Sequence, residues 1–549
     1  MDAVLTYDRI RDDSQTMPQD PRFNGDNPFE NLANKREPTQ YDVDQLGLRV
    51  DWSLNDNLTL HSITGWHDGH DKVNQDFDGG TVTGAAIPFA QLHTLRDQEF
   101  EVITQELRLT GAFSPTVDFM IGAYYLDADL DFSQRTTNIL QLPPAAIVPG
   151  LSCAEIPGLR PNPGLGDALC QFANARSLQA AGEKAESIAF FGSLTWRPTA
   201  ELEFTVGARY IDEEKKASNS YFDFSDRTFD DEQPGFSFDN EFDFLSLPSR
   251  AGVAYSVDDS WDDIIFTGSA SWAYTDSNRA YVTYSEGFRS GGFSIRSARD
   301  PSEAAFDPED AWQLEIGFKN EFLDRRLIAN LSLFRLERDG AQFSSIIPLP
   351  PGAIPGTTTI INNGGKSQVQ GVELETMWLI NERLSLAVNG GFIDVDNKKF
   401  SLPCDVIDGC VTATPGVLDP SGTPREFGGN SDSRQPEWNY SVRLAYEQPL
   451  GPGILNANVG YKEVGEFLLV NTGGGANQRL FEGNYYGVDA GVAYEWALNG
   501  GDTLTISVFG KNLTDEEWKE HALFLGGPTT GFQGWGAPRT YAVEFTYNH

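Results

Sequence analysis

The chain has 549 residues, with 80 acidic against 40 basic side chains, a net charge of −40, 12% aromatic residues and 54 glycines. That charge excludes nucleic acid and polybasic lipid binding as the main business of the surface. No run of about 18 apolar residues occurs, so a membrane-crossing helix is excluded, whereas a barrel built from alternating segments of about ten residues is not.

In chain order, "MDAVLTYDRIRDD" lacks the basic and apolar regions of a signal peptide. Residues 3–13 read as a strand that leads into a long polar segment. "LGLRVDWSL" then sets Leu46, Leu48, Val50, Trp52 and Leu54 on one face. "HSITGWHDGH" follows, with His61, His67 and His70 at a strand-to-loop passage. Its alternatives are a surface metal site at His67, Asp68 and His70 or a solvated loop.

The cysteines form local pairs in segments rich in Pro, Gly or Asp, and disulfides Cys153–Cys170 and Cys404–Cys410 are expected in an oxidising compartment. Zinc is a poor second, because the spacing fits no zinc site and no His is near. Further strands follow. "LEFTVGARY" aligns Leu202, Phe204, Val206, Ala208 and Tyr210, and "RLIANLSLF" aligns Leu327, Ala329, Leu331 and Leu333. "WNYSVRLAY" aligns Trp438, Tyr440, Val442, Leu444 and Tyr446. Between the first two lies 223–244, crowded with carboxylates around a single Arg227, either a calcium-binding loop or plain solvation. The last strand places Tyr541, Val543, Phe545, Tyr547 and His549 in one phase.

The connections sort into two classes. Short turns stand at 55–57, 113–116, 197–201, 275–279, 322–326, 380–383, 448–453 and 498–502. Long polar segments lie between them, near 14–39, 68–98, 134–186, 212–260, 286–309, 340–366, 394–436, 463–484 and 514–538. Tight turns on one rim and long loops on the other describe an all-β, antiparallel, up-and-down transmembrane β-barrel of about 18 strands. A soluble propeller or sandwich would show neither this sorting nor, here, the repeat of about 40–50 residues that blades require. Aromatics near strand ends, among them Trp66, Trp196, Trp272, Tyr284 and Trp496, suit membrane interfaces.

Several ordered blocks resemble the barrel of TonB-dependent receptors: "YVTYSEGFRSGGF" (281–293), "FDPEDAWQLEIGFKNEFLDRRLIANLSLFRLERDGAQ" (306–342), "INNGGKSQVQGVELETMW" (361–378), "VFGKNLTDEEW" (508–518) and "PRTYAVEFTY" (538–547). Gly371 marks a strand start there, Asn512 and Asp515 form a loop, and the glycines of "GFRSGG" let the backbone bend at the outer rim. The resemblance implies about 22 strands, an N-terminal plug and a segment that meets the energising partner. Residues 1–549 are therefore expected to be the barrel domain, incomplete at its N-terminus and without the plug. The resemblance further implies a place in the outer membrane of a Gram-negative bacterium.

The function it implies is TonB-dependent uptake of a scarce ligand, most often a ferric siderophore or other iron complex. The alternatives are a passive porin-like channel, or uptake of an oligosaccharide or another non-iron ligand. The expected partners are a TonB-type energising complex, lipopolysaccharide, outer-membrane lipid and a small-molecule chelate, with no nucleic acid and a monomeric state. No cofactor is expected beyond calcium at the acidic loops. Arg289 is the candidate for pairing with an anionic ligand and Phe288 and Phe293 for packing on it, unless Arg289 pairs with a loop carboxylate. Haem is disfavoured: Phe288 and Arg289 continue as Ser-Gly, and no His lies between them and "FDPED". Catalysis is disfavoured as well, since none of His61, His67, His70, His93, His521 and His549 sits in a nucleophile motif.

Overall fold

The computed structural model describes residues 2–12, 39–76, 90–140, 175–223, 254–295, 304–348, 357–398, 400–402, 425–427, 434–471, 479–498, 500–524 and 531–548. All four cysteines and segment 224–244 lie outside these residues.

Eighteen strands form one antiparallel sheet. Each pairs with the next long strand in the chain, from Asp2–Asp12 against Thr39–Asn55 through to Thr503–Lys511 against Thr540–Asn548. Among the described residues, these first and last strands are paired along one edge only. The up-and-down order and the strand number match the sequence reading. The strands, however, run further than their polarity suggests. Val117–Leu140, Ala175–Trp196 and Leu202–Asp223 extend into segments that read as loops. Backbone ladders do not depend on side-chain polarity, and above the membrane both faces turn polar, so the alternation that marks a strand disappears.

Register decides which face meets lipid. Val372 lies opposite Leu333 on one side and Phe392 on the other, and Val459 lies between Leu444 and Ala490. The apolar residues of neighbouring strands thus merge into one outer band, with Val206 59%, Leu333 46% and Val508 53% exposed. Apolar surface of that extent left in water would be strongly unfavourable, and a bilayer removes the penalty. The opposite, lumenal face is polar. Aromatic belts border the band. On the loop side, Tyr125, Tyr210, Tyr284 and Tyr461 donate to Asp127, Asp212, Glu286 and Glu463, each two residues further along. On the turn side, Tyr446 donates to the neutral Gln448 and Tyr494 to the Leu450 carbonyl.

Two details refine the sequence reading. Gly371 is interior to the strand Lys366–Asn381, and it faces the lumen beneath the Phe334 ring, where a Cβ would come within 2.7 Å of that ring. Asn512 and Asp515 do form the expected loop, in left-handed conformations with φ of 50° and 58°. Buried Asn512 stitches the loop by donating its side-chain amide to the Glu516 and Ala537 carbonyls. Several long connections also fold back into small two-stranded sheets at the loop rim, such as Gln342–Pro348 with Thr357–Asn363 and Lys519–Phe524 with Gly531–Trp535.

Candidate ligand site at the lumenal mouth

The strand Asn278–Arg289 ends in "RSGGFSI", and there the chain turns in over the lumenal wall. Ser290, Gly291, Gly292, Phe293 and Ser294 are all buried. Two glycines permit the approach. A Cβ on Gly291 would come within 2.6 Å of both the Trp261 ring and the Phe306 carbonyl oxygen, and one on Gly292 within 2.8 Å of the Phe306 ring. The short pairing of Gly292–Phe293 with Ala305–Phe306 then holds the strap in place.

Alternation supplies the bed beneath it. Glu213, Lys215 and Asn219 project from one strand to the lumen, Tyr255 and Trp261 from the next, and Gln179 from the strand before. Lys215 Nζ donates to Ser290 Oγ at 2.8 Å and to the Gly291 carbonyl at 3.0 Å, and it sits 3.0 Å from Glu213. Ser290 donates in turn to Glu213. Gln179 donates to the Ile295 carbonyl at 2.8 Å, and the Phe293 ring lies against Trp261 with centroids 6.2 Å apart. From above, Gln342 donates to the Ser290 carbonyl at 2.9 Å and Ile361 N–H to Ser294 Oγ at 2.7 Å. Every charged group in this network has a partner.

Arg289 is the exception. Its cross-strand neighbour is Glu309, but Glu309 is buried, accepts from Gln342 N–H at 2.7 Å and lies 3.7 Å from Arg338. Arg289 stays exposed on the lumenal side and forms no ion pair with any described residue. The sequence-predicted contacts therefore part company. Phe288, in phase with Tyr284 and opposite Asp310, is on the outer face, and Phe293 is packed inside the strap at 6% exposure. Only Arg289 is presented to the mouth.

The far side of the mouth is aromatic. Trp518 stacks on Tyr485 at 5.1 Å with planes 5° apart, and Lys462 lies over Trp518 at 5.3 Å. Lys519 sits 4.8 Å from the Trp535 ring centroid and 3.4 Å from Glu482. His521 belongs to the same rim hairpin; burial, and next the charge of Arg434, hold its imidazole pKa below the ordinary value, while Glu520 acts in the other direction. Deeper in the lumen, Arg209 lies over Tyr124 and Phe191 at 5.4 and 5.6 Å.

The clustered histidines divide by strand parity. His61 and His67 face the lumen, His61 bonded to Asp51 at 2.5 Å and His67 beside Phe100 with ring centroids 5.0 Å apart. His70 and Asp68 face outward. His67, Asp68 and His70 do not converge; His70 instead meets Asp97 at 2.6 Å and Glu99 at 3.9 Å. Sequence reasoning missed the bed of the strap. The paired glycines marked a close approach, but nothing local names a partner some 75 residues away, as Lys215 is from Ser290.

A family model described as "TonB dependent receptor-like, beta-barrel" matches residues 2–513. A probable TonB-dependent siderophore receptor, PiuA of Acinetobacter baumannii, is 24% identical over 172 residues, 30% of this chain and 21% of that protein. The pesticin receptor of Yersinia pestis is 23% identical over 345 residues, covering 62% of this chain and 41% of the relative. The matched stretch thus spans less than half the length of either curated relative. Among solved structures, the siderophore receptor PiuA from Acinetobacter baumannii superposes with a TM-score of 0.64 at 16% identity, over 99% of this chain and 71% of that one. The ferric yersiniabactin uptake receptor FyuA from Yersinia pestis gives 0.62 at 16% identity, over 93% and 61%.

Proposed function

The chain belongs to the TonB-dependent receptor β-barrel family, and on that premise we propose that it forms the barrel of an outer-membrane receptor for TonB-energised uptake of a ferric siderophore or another anionic iron complex. Proteins of this family are transporters and receptors of the Gram-negative outer membrane. The names of the relatives, siderophore receptors among them, support the ligand class. The observation that carries the anionic character is Arg289. In a chain of net charge −40, it is a guanidinium at the mouth with no ion-pair partner among the described residues, although a carboxylate lies directly across the ladder. A bidentate guanidinium contact suits the carboxylate or phenolate oxygens of an iron chelate. The strap takes Glu213 and Lys215 out of competition for the same ligand.

Uptake of radioactive iron by a receptor that joins this barrel to a plug and a TonB-contacting segment tests this reading, in an iron-limited Gram-negative host stripped of its own siderophore receptors and supplied with hydroxamate, catecholate and carboxylate chelates in turn. At least one chelate is expected to enter in the presence of TonB and not in its absence. Arg289→Gln should reduce that uptake about tenfold, the loss of one charge-assisted contact of about 1.4 kcal/mol, and Arg289→Lys should restore part of it. Uptake that persists without TonB would sink the receptor reading in favour of a passive channel. Uptake indifferent to Arg289→Gln removes the anionic site.

A further inference from the structure

Glu309 stands between two arginines. Its strand, Glu309–Phe322, pairs on one side with the strand of Arg289 and on the other with Leu327–Asp339, which carries Arg338. Arg289 is its direct register partner, so the two Cβ atoms lie about 5 Å apart on the lumenal face. A change of side-chain rotamer would bring the carboxylate onto the Arg289 guanidinium. Such a pair is bidentate, and it would cancel the charge that the mouth offers to an anion.

The fold gives the carboxylate to the other arginine. Arg338 reaches Glu309 Oε1 at 3.7 Å and donates to Ser367 Oγ at 3.4 Å. Gln342 N–H donates to Glu309 Oε2 at 2.7 Å, so both oxygens are engaged away from Arg289. A turn places that donor. Gly340 has a φ of 65°, and a Cβ there would come within 3.0 Å of the Pro308 carbonyl oxygen. Asn363 fastens the turn: it donates to the carbonyls of Gly340 at 2.9 Å and Asp307 at 2.7 Å, and accepts from Asp307 N–H at 2.7 Å. The Gln342 side chain donates to the Ser290 carbonyl, so one residue fixes both the acid across from Arg289 and the strap that follows it.

We infer that Arg338, together with the Gln342 N–H, is a positioning residue for ligand binding: it holds Glu309 away from Arg289 and so keeps the guanidinium open to an anionic chelate. Without Arg338, Glu309 becomes a competitor tethered beside the site. An anion then has to displace it, and apparent affinity falls in proportion to the time that Arg289 spends unpaired. The inference rests on Arg289 as the ligand contact proposed above and names what keeps that contact available.

Iron uptake by the same plug-joined receptor, measured against the concentration of a chelate that it admits, tests this. Arg338→Met should raise the half-saturating concentration about tenfold, as when Glu309 occupies Arg289 for about nine-tenths of the time, and leave the maximal rate within about twofold. Removing the competitor should reverse the loss: Arg338→Met/Glu309→Gln should return half-saturation to within about twofold of the parent. On an Arg289→Gln background, Arg338→Met should shift half-saturation by less than about twofold, because its effect passes through Arg289. A purely structural Arg338 gives neither the rescue nor the dependence on Arg289. Heat-modifiable migration in electrophoresis verifies that each variant is a folded barrel. Should Arg338→Met not fold, Arg338→Lys, which keeps the charge without the planar fork, takes its place with a shift of about threefold and the same rescue. Unchanged half-saturation in a folded Arg338 variant, failure of Glu309→Gln to rescue it, or a loss that persists without Arg289 overturns the inference and leaves the Arg289 reading standing. Uptake indifferent to Arg289→Gln overturns that reading, and this inference falls with it.

Discussion

Residues 213–216 read Glu-Glu-Lys-Lys, and the pleat divides them into two ion pairs with opposite fates. Glu213 and Lys215 face the lumen 3.0 Å apart, with side chains 23% and 18% exposed. Glu214 and Lys216 face outward 2.8 Å apart, and are 46% and 59% exposed. The residue types and spacing are the same. What differs is what lies on top: the lumenal pair is covered by the strap and bonded to Ser290 and Gly291, whereas no described residue covers the outer pair. A partly desolvated pair that also holds backbone is structural, while a solvated pair is nearly neutral for stability.

Three substitutions grade this contrast. Gly291→Val has the largest expected effect, because its side chain would enter the space of Trp261 and the Phe306 carbonyl. It should destabilise the strap by about 3 kcal/mol, the upper range for overpacking, and hydrogen exchange at residues 290–295 should rise to match. Lys215→Met comes next. It preserves bulk but leaves Glu213 and the Gly291 carbonyl without their ammonium donor, at about 2 kcal/mol, and the same amides should report it. Lys216→Met removes the equivalent charge one residue further along and should change stability to denaturant by less than about 0.5 kcal/mol. If the two lysine variants behave alike, burial under the strap is not what separates the pairs.

Much of this was legible before any coordinates. Barrel class and strand number follow from the sorting of short turns and long segments, and the face assignments of Leu46–Leu54, Leu202–Tyr210, Leu327–Leu333, Trp438–Tyr446 and Tyr541–Tyr547 from period-2 alternation, which lipid on one face enforces. Asn512 and Asp515 were legible because left-handed backbone selects these residue types. The site was legible only in part. Arg289, Phe288 and Phe293 lie close together in sequence, but alternation sends Phe288 outward, and the inward bend buries Phe293. Of the metal-site alternative at His67, Asp68 and His70, alternation sends His67 to the lumen and the other two outward, so the three cannot hold one ion. What no local pattern encodes is long-range register, the fact that Glu309 lands opposite Arg289 while Arg338 comes alongside from the next strand.

The smallest expected effect needs no substitution and falls on the opposite side of the mouth. If burial beneath folded-back chain is what separates structural from free charges, a buried titratable group there should couple rim order to pH. His521 is that group: its ring lies against Gly534, where a Cβ would come within 1.9 Å of it, and burial, helped by Arg434 against the pull of Glu520, depresses its pKa. The folded hairpin thus favours neutral imidazole. Above the ordinary histidine value of about 6.5 the ring is neutral whether the hairpin is open or closed, and closure carries no proton penalty. As pH falls below that value the open form gains a proton first, so stability drops until the depressed folded value is reached and then levels off. Amide exchange at 519–524 should accelerate between pH 7.5 and 5.5 relative to exchange in the strap at 290–295. In His521→Gln, which keeps a polar side chain without the titration, the difference between the two pH values should vanish; if it survives, the pH response belongs to another group and burial of His521 is not its cause.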